Sequence, residues 1–496
     1  MNRNKIKLYM LLLVMLLVFG GMSTDAKAAV IKTATTKNAH DVKVLKKIIS
    51  EKRKSGGKVS TNLENKKQYG WNPVTGRLEK IVWNVCDLKG VINFNQFSEL
   101  RHLDVEGNNI RKIHLGKLKK IRILNCSYNR MKKLNVSKCT QLKILDCSMN
   151  NIDRLDVRKL QKLEQLYCFS NGMKILKLNS NGVGKLKKLD CSYNKIKKLD
   201  ISKLTKLQYL DCENNKLQKL HTKNLKSLKS LYFSDNKIRD FDVQKSDKLQ
   251  DIDCSNNKIR TLRLKKLSGL ETLNCSKNKI KRLQIDSLIN LQSLDCSKNK
   301  INQLKFGNLS KLRELNCSNN KLKKVDLGES KNLTQLNCSN NKIAEVNVMP
   351  LKKLEEVNCS QNNIRSLTVK GLKNLYDIDC SYNRITNLKL RRLEGLEGLN
   401  CSHNRIHQLR LNRLKSLIEL DCSYNKLKKL DIRKLEILEY NLDCSNNQLQ
   451  ELVIGSTCLH FLDCRNNKLT QIYTRGFYEM EEFMSDQGVE VSIMVM

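Results

Sequence analysis

Residues 207–227 read LQYLDCENNKLQKLHTKNLKS, and the chain writes this pattern again and again. Leu207, Leu210, Cys212, Asn215, Leu217, Leu220 and Leu225 mark a 21-residue unit, L-x-x-L-[DN]-C-S-x-N-x-[IL]-x-x-L-x-[IL]-x-x-L-x-x. Upstream the cysteine recurs at Cys126, Cys147, Cys168 and Cys191. Downstream it recurs at Cys254, Cys275, Cys296, Cys317, Cys338, Cys359, Cys380, Cys401, Cys422, Cys444 and Cys464. The step is 21 residues with three small exceptions; Phe233 fills the one gap, and Val105 stands one unit before Cys126. Three residues after each of these eighteen positions comes an asparagine, from Asn108 through Asn215, Asn257, Asn320 and Asn425 to Asn467.

A unit this short cannot bury its own apolar face, so its stability is shared with the units on either side. Leu210 and Cys212 alternate inward, as a short strand requires, while residues 209, 211 and 213 face outward. Stacked units set these strands side by side in a parallel sheet, about 4.8 Å per coil. The asparagine turns the chain out of the strand, and its amide serves backbone groups of the turn. Leu220 and the position two beyond it alternate again, which predicts a second short strand on the convex side. The architecture expected is a solenoid with a parallel β-sheet on its concave face and short strands or turns on its convex face.

The same geometry decides the cysteines. Neighbouring Cβ atoms about 4.8 Å apart lie beyond the roughly 3.5–4.5 Å of a relaxed disulfide. The sixteen ladder cysteines therefore read as small buried hydrophobes with free thiols, and no disulfides are expected. In Leu78-x-x-Ile81-x-Trp83-x-x-Cys86-x-Leu88, an earlier degenerate coil, Trp83 takes the ladder column and Cys86 the asparagine position. Cys139 replaces an outer leucine, and Cys458 is irregular.

Residues 1–28 have the form of a signal peptide: Arg3, Lys5 and Lys7, an apolar stretch from Leu8 to Phe19, then Ala26-Lys27-Ala28. Cleavage there leaves a mature chain at +41 from the +44 of the whole, with no second segment long enough to span a membrane. Residues 29–77 are expected to cap the first coil. Their helix, about 39–54, carries Val42, Val44, Leu45, Ile48 and Ile49, with Asp41 near its start and Gly56-Gly57 after its end. The cap joins the first coil through Tyr69, Trp71 and Pro73. The coils run over 78–470, about eighteen regular and one degenerate. Residues 471–496 close the far end, with a short acidic helix from Gly476 to Asp486 and a strand from Val489 to Met494.

The unit with its LDCSNNKI core, matched closely by Asp421-Cys422-Ser423-Tyr424-Asn425, resembles the cysteine-ladder subclass of bacterial leucine-rich repeats found in the internalin family of Gram-positive surface proteins. The resemblance covers roughly 78–470. It implies a leucine-rich-repeat solenoid that recognises a protein or another surface, typically in adhesion, through its concave face. Members of that family often carry an LPxTG sorting signal or wall-binding modules after the repeats; neither follows here before Met496. The expectation is a secreted monomer, held non-covalently if it stays at the cell surface.

Charge and aromatic residues mark where a ligand would sit. Lysines gather after the asparagine, as in Asn194-Lys195-Ile196-Lys197-Lys198, and in the convex segment. Outward strand positions of the second half are instead acidic: Asp251, Asp253, Glu314, Asp377, Glu419 and Asp421 among them. The lysine flanks suit wall polyanions or only solubility, which gives an alternative reading as a structural protein held to the wall electrostatically. Almost no aromatics interleave with those lysines, so no specific nucleic-acid binding is expected. Tyr167, Tyr193, Tyr209 and Tyr232, from four consecutive coils, are placed at outward strand positions beside a two-residue insertion at 181–184; Tyr376, Tyr382 and Tyr424 form a second, weaker patch.

A search for catalytic motifs is empty. The seven histidines form no H-E-x-x-H, and there is no phosphate loop, G-x-S-x-G or dinucleotide fingerprint. Cys458-x-His460-x-x-x-Cys464 only faintly suggests a metal, since Cys464 is a ladder position. The Asp-Cys-Ser triplets are read as no triad, on the ground that alternation sends their side chains to opposite faces. No catalytic residue, metal or cofactor is expected.

Overall fold

The computed structural model describes residues 36–178, 184–223, 225–243, 248–264, 267–456, 458–476 and 480–493. The expected signal segment 1–28 and residues 181–183 of the expected insertion lie outside them. The chain divides into two compact units, Met1–Leu207 and Gln208–Met496.

The first unit opens with helix α1, Ala39–Lys54. Asn38 caps it, its side-chain oxygen accepting from the Asp41 amide at 3.2 Å. Leu45, Ile48 and Ile49 form its buried stripe, and the fully buried Asp41 ties helix to sheet. Its carboxylate accepts from Arg77 Nε at 2.8 Å and from the Leu78 amide at 2.9 Å. Tyr69–Trp71 then pairs antiparallel with Leu78–Val82 and so covers that strand's outer edge. From Leu78–Val82 the sheet is parallel, through His102–Asp104, Ile123–Asn125, Ile144–Asp146 and Gln165–Tyr167 to Lys188–Asp190.

In the second unit parallel strands run from Tyr209–Asp211 and Ser230–Tyr232 to Phe461–Asp463 and Glu482–Met484. Leucine-type residues pair coil to coil, as Leu231 with Ile252 and Leu420 with Leu442. The latter pair spans one of the irregular steps, so the extra residue is absorbed outside the strand and the core column keeps its register. Where Phe233 replaces cysteine, its ring is fully buried and meets Phe241 at 4.4 Å. The second set of strands forms only in part of the coils, as short parallel pairs such as Asp240–Asp242 with Thr261–Arg263 and Arg282–Gln284 with Gln303–Lys305.

Inside each coil the leucine and cysteine columns are almost completely buried. Each leucine removed from water contributes on the order of 1.5–3 kcal/mol. The asparagine column holds the turns. The Asn404 amide nitrogen donates to the carbonyls of Cys380, Cys401 and Ser402 at 3.0–3.1 Å, and its oxygen accepts from the Ile385 amide at 2.9 Å. One side chain thus makes four bonds, two within its own coil and two to the preceding one. Asn108 repeats the arrangement on the degenerate coil, donating to Trp83 O at 2.8 Å and accepting from the Cys86 amide at 3.1 Å.

The far end differs from the expectation. Within 476–486, Glu482–Met484 is a strand beside Phe461–Asp463, whereas the closing strand is found at Glu490–Ile493 beside Gln471–Thr474. Open sheet edges attract strand pairing more strongly than a short acidic segment favours helix. Asp486 finishes the turn column. Its two carboxylate oxygens accept from the amides of Asn466 at 2.8 Å and Asn467 at 3.0 Å. In the preceding coils those amides reach carbonyls of the next coil, as Tyr424 N does Ser445 O.

Candidate binding surfaces

The outward strand face is built from the residues three before and one before each ladder position. In most coils the second of these is Asp or Asn, and its oxygen is already engaged. Asp379 Oδ1 accepts from the Ser381 amide at 3.0 Å and from its hydroxyl at 2.7 Å, and Asp421 serves Ser423 in the same way. The aspartate and serine of the Asp-Cys-Ser triplet therefore share one face, contrary to the expectation of opposite faces. Alternation sends only the intervening cysteine inward. The pair makes a local turn, with the hydroxyl committed to the carboxylate.

The residues three before the ladder position are freer, and in the second unit they are often acidic. Glu356, Asp377, Gly398 and Glu419 are successive partners across the strands. Asp377 leans over Gly398, where an added Cβ would fall 2.4 Å from its carboxylate oxygen. Burial, then the charges of Asp379, Glu356 and Glu419, pushes the Asp377 carboxyl up to about 6. An acidic strip on a chain of net charge +44 is thus held against its own repulsion.

The seven tyrosines do not make one patch. In the first unit Tyr167 lies in strand Gln165–Tyr167 with its hydroxyl 3.0 Å from Gln165 Oε1. In the second unit Tyr209 and Tyr232 come together on adjacent strands, ring centroids 5.7 Å apart. Tyr376 precedes strand Asp377–Asp379 and bonds Glu356 through its hydroxyl. Tyr193, Tyr382 and Tyr424 are turn residues with φ of 51°, 52° and 51°. The outward strand placement of Tyr193 is therefore corrected. Strand alternation ends at the cysteine, and the residue before the ladder asparagine takes the left-handed conformation in every coil, from Gly107 at φ 66° to Asn466 at φ 56°. An L side chain there costs on the order of 1–2 kcal/mol, which the four bonds of the asparagine offset.

That column holds a feature missed in the sequence. Tyr382, His403 and Tyr424 stack face to face, with centroids 4.0 and 4.1 Å apart and planes within 13° and 10°. Their 21-residue spacing is the signal that would have revealed them. Tyr128, in the first unit, occupies the same column and is half exposed.

The ladder cysteines offer no nucleophile at neutral pH. Burial raises Cys317, Cys359 and Cys401 well above the ordinary thiol value, and Cys464 to about 12. Cys464 faces the core, its thiol 3.4 Å from Met484 O, while His460 lies 3.8 Å from Glu481 and beside the Tyr440 ring. Among the described residues no group of three or more His, Cys, Asp or Glu is placed to hold a metal ion. No helix among them is long and apolar enough to cross a membrane.

A family model for leucine-rich repeats matches residues 185–227 and 310–350. No curated protein matches significantly. Among solved structures, the functional domain of InlJ from Listeria monocytogenes, which includes a cysteine ladder, is 30% identical with a TM-score of 0.53. The match covers 68% of this chain and 65% of that domain, so the chain spans just under two thirds of its length. YopM from Yersinia enterocolitica shares the fold at 22% identity and a TM-score of 0.70, over 94% of this chain and all of that one. So does the Leptospira interrogans leucine-rich-repeat protein LIC12759, at 23% and 0.53, over 70% and 90%. With its 21-residue unit, buried cysteine column and asparagine turns, the chain has the leucine-rich-repeat fold and is similar to the cysteine-ladder, internalin-like repeats.

Proposed function

We propose that the chain is exported and acts outside the cell or at its surface as a non-enzymatic binder. Its main strand face holds a protein or glycan partner. One observation carries this reading: the residues that build the coil repeat, whereas the outward strand positions change from coil to coil and gather acid on a strongly basic protein. Such segregation of charge serves recognition more than folding. Leucine-rich-repeat proteins are typically binding scaffolds, and Tyr209 with Tyr232 supplies the rigid aromatic area favoured at interaction hot spots.

The test is retention of the chain from Ala29 on the producing cells and on candidate partner cells across a salt series. Recognition by the strand face survives about 0.5 M salt, where charges are screened within a few ångströms. It also drops at least roughly tenfold when Tyr209→Ala is combined with Tyr232→Ala, or Glu356→Gln with Glu419→Gln. Retention that disappears with salt and ignores both double variants overturns the proposal.

A further inference from the structure

The second unit carries a groove with a strongly basic lining. It has a volume of about 890 Å³ and lies against the second set of strands, not the main sheet. Strands Thr261–Arg263, Arg282–Gln284 and Gln303–Lys305 form its walls. Seven of its twelve lining residues are cations, Arg263, Lys281 and Arg282 among them, and none is acidic. None of the seven has an ion-pair partner among the described residues, and Arg263, Lys281 and Arg282 are exposed.

Two comparisons within the molecule give this weight. A neighbouring groove in the same unit brings Lys219, Lys223, Arg239 and the shared Arg263 together with Asp240 and Asp242. A groove in the first unit includes Asp153, and its Arg158 pairs with Asp156 at 2.6 Å. Those clefts hold carboxylates of their own; the groove at 260–305 meets one only at its edge, where Arg263 is the strand partner of Asp242. Its register is fixed as well. Lys279 and Lys300 follow the ladder asparagine in consecutive coils, their amides bonded to Ile259 O and Ile280 O at 2.8 and 2.9 Å. The same column continues through Lys237, Lys258, Lys321 and Lys342, all exposed. Lysine backbone positions thus recur about every 4.8 Å along the coils.

We infer that this groove binds a linear phosphodiester polymer without bases, laid along the lysine column and gripped by Arg263, Lys281 and Arg282. Arginine forks hold phosphate oxygens in pairs, and Thr261, Gln284 and Gln303 supply neutral hydrogen-bonding groups. No aromatic ring lines the groove, so bases have nothing to stack on. Its only apolar residues, Leu262 and Leu283, are buried beneath the surface, so sugar rings have no apolar shelf. A flexible polyol phosphate needs neither.

The experiment is titration of the chain with polyglycerol phosphate at several salt concentrations. Three charge-reversed substitutions in the groove (Arg263→Glu, Lys281→Glu, Arg282→Glu) are set against three of the same charge change elsewhere in the unit (Arg410→Glu, Arg413→Glu, Lys415→Glu). Thermal melts confirm that both variants fold. The wild type should bind with a log–log salt slope of up to about −5, as seven phosphate contacts on a flexible chain require. The groove variant should lose affinity roughly tenfold or more and the control no more than about twofold. Equal losses, or no wild-type binding at 0.15 M salt, overturn the site. Oligodeoxythymidylate or heparin of matched charge binding more tightly than polyglycerol phosphate overturns the ligand class. The acidic strand-face variants Glu356→Gln and Glu419→Gln should leave this titration unchanged, so it stands or falls apart from the strand-face proposal.

Discussion

Two columns of the same coils obey opposite rules. The ladder asparagine is the same residue in eighteen coils, while the position three before the ladder cysteine passes through Glu356, Asp377, Gly398, Glu419 and Asn441 in five successive ones. The asparagine has one geometric task, to bridge two turns with four bonds, and a side chain longer or shorter by one carbon cannot perform it. The strand-face residue has no such task within the fold, because its neighbours across the strands impose only spacing and charge. Invariance within one chain therefore marks what the coil needs from itself, and variation marks what is open to a partner.

The sharpest way to break this contrast is to change one residue in each column. Asn404→Ala strands the Ile385 amide and three carbonyls. It should cost about 2–4 kcal/mol, read as a lower midpoint in denaturant. A cost as small as that of Glu419→Gln, expected within about 0.5 kcal/mol, would erase the distinction. Next in size is the core column. Cys317→Ser places a hydroxyl in a site without water and should cost about 1–3 kcal/mol, more than Cys317→Ala. The reverse order would mean that the column is not a dry hydrophobic seam. Smaller still is Asp486→Ala, expected to cost about 1 kcal/mol. Its distinctive readout is faster hydrogen exchange at the amides of Asn466 and Asn467 only.

The variable column is tested by pH. The folded-state pKa of Asp377 lies at about 6, above its unfolded value, so the folded protein holds that proton more tightly. Its contribution to stability is full below the unfolded value and disappears as pH rises through 6. Asp377→Asn should therefore melt higher than wild type at pH 7 and lose that advantage by pH 4. A pH-independent difference would show that the strip imposes no charge strain.

The solenoid was legible because one pattern stands eighteen times in the sequence, and because alternation of Leu210 with Cys212 needs nothing but local geometry. Helix α1 was legible for the same reason, through its stripe of Leu45, Ile48 and Ile49. Alternation also misled. It ends at the cysteine, so Tyr193 was assigned to the strand when it belongs to the left-handed turn. His403 escaped notice because its stacking with Tyr382 and Tyr424 depends on the relation between coils, which a search within one coil cannot find. The far end was read as helix because nothing in the run from Gly476 to Asp486 announces that a carboxylate will take the place of two backbone carbonyls.

That carboxylate bears on how such a molecule acquires its length. Each coil presents its successor with the same donors and acceptors that it met in its predecessor, so the array contains no internal measure of when to stop. Where a further turn would offer two carbonyls stands a single side chain, Asp486, and the amides it serves are ones that every regular coil presents. Whole units of 21 residues can accordingly be gained or lost upstream of it without redesigning the end. A gain or loss of one or two residues is tolerated only where it falls outside the strands, as it does between Leu420 and Leu442. The repertoire of strand-face and groove residues can thus be lengthened, shortened or reshuffled in steps of one coil, while a single aspartate closes the turn column of the last regular one.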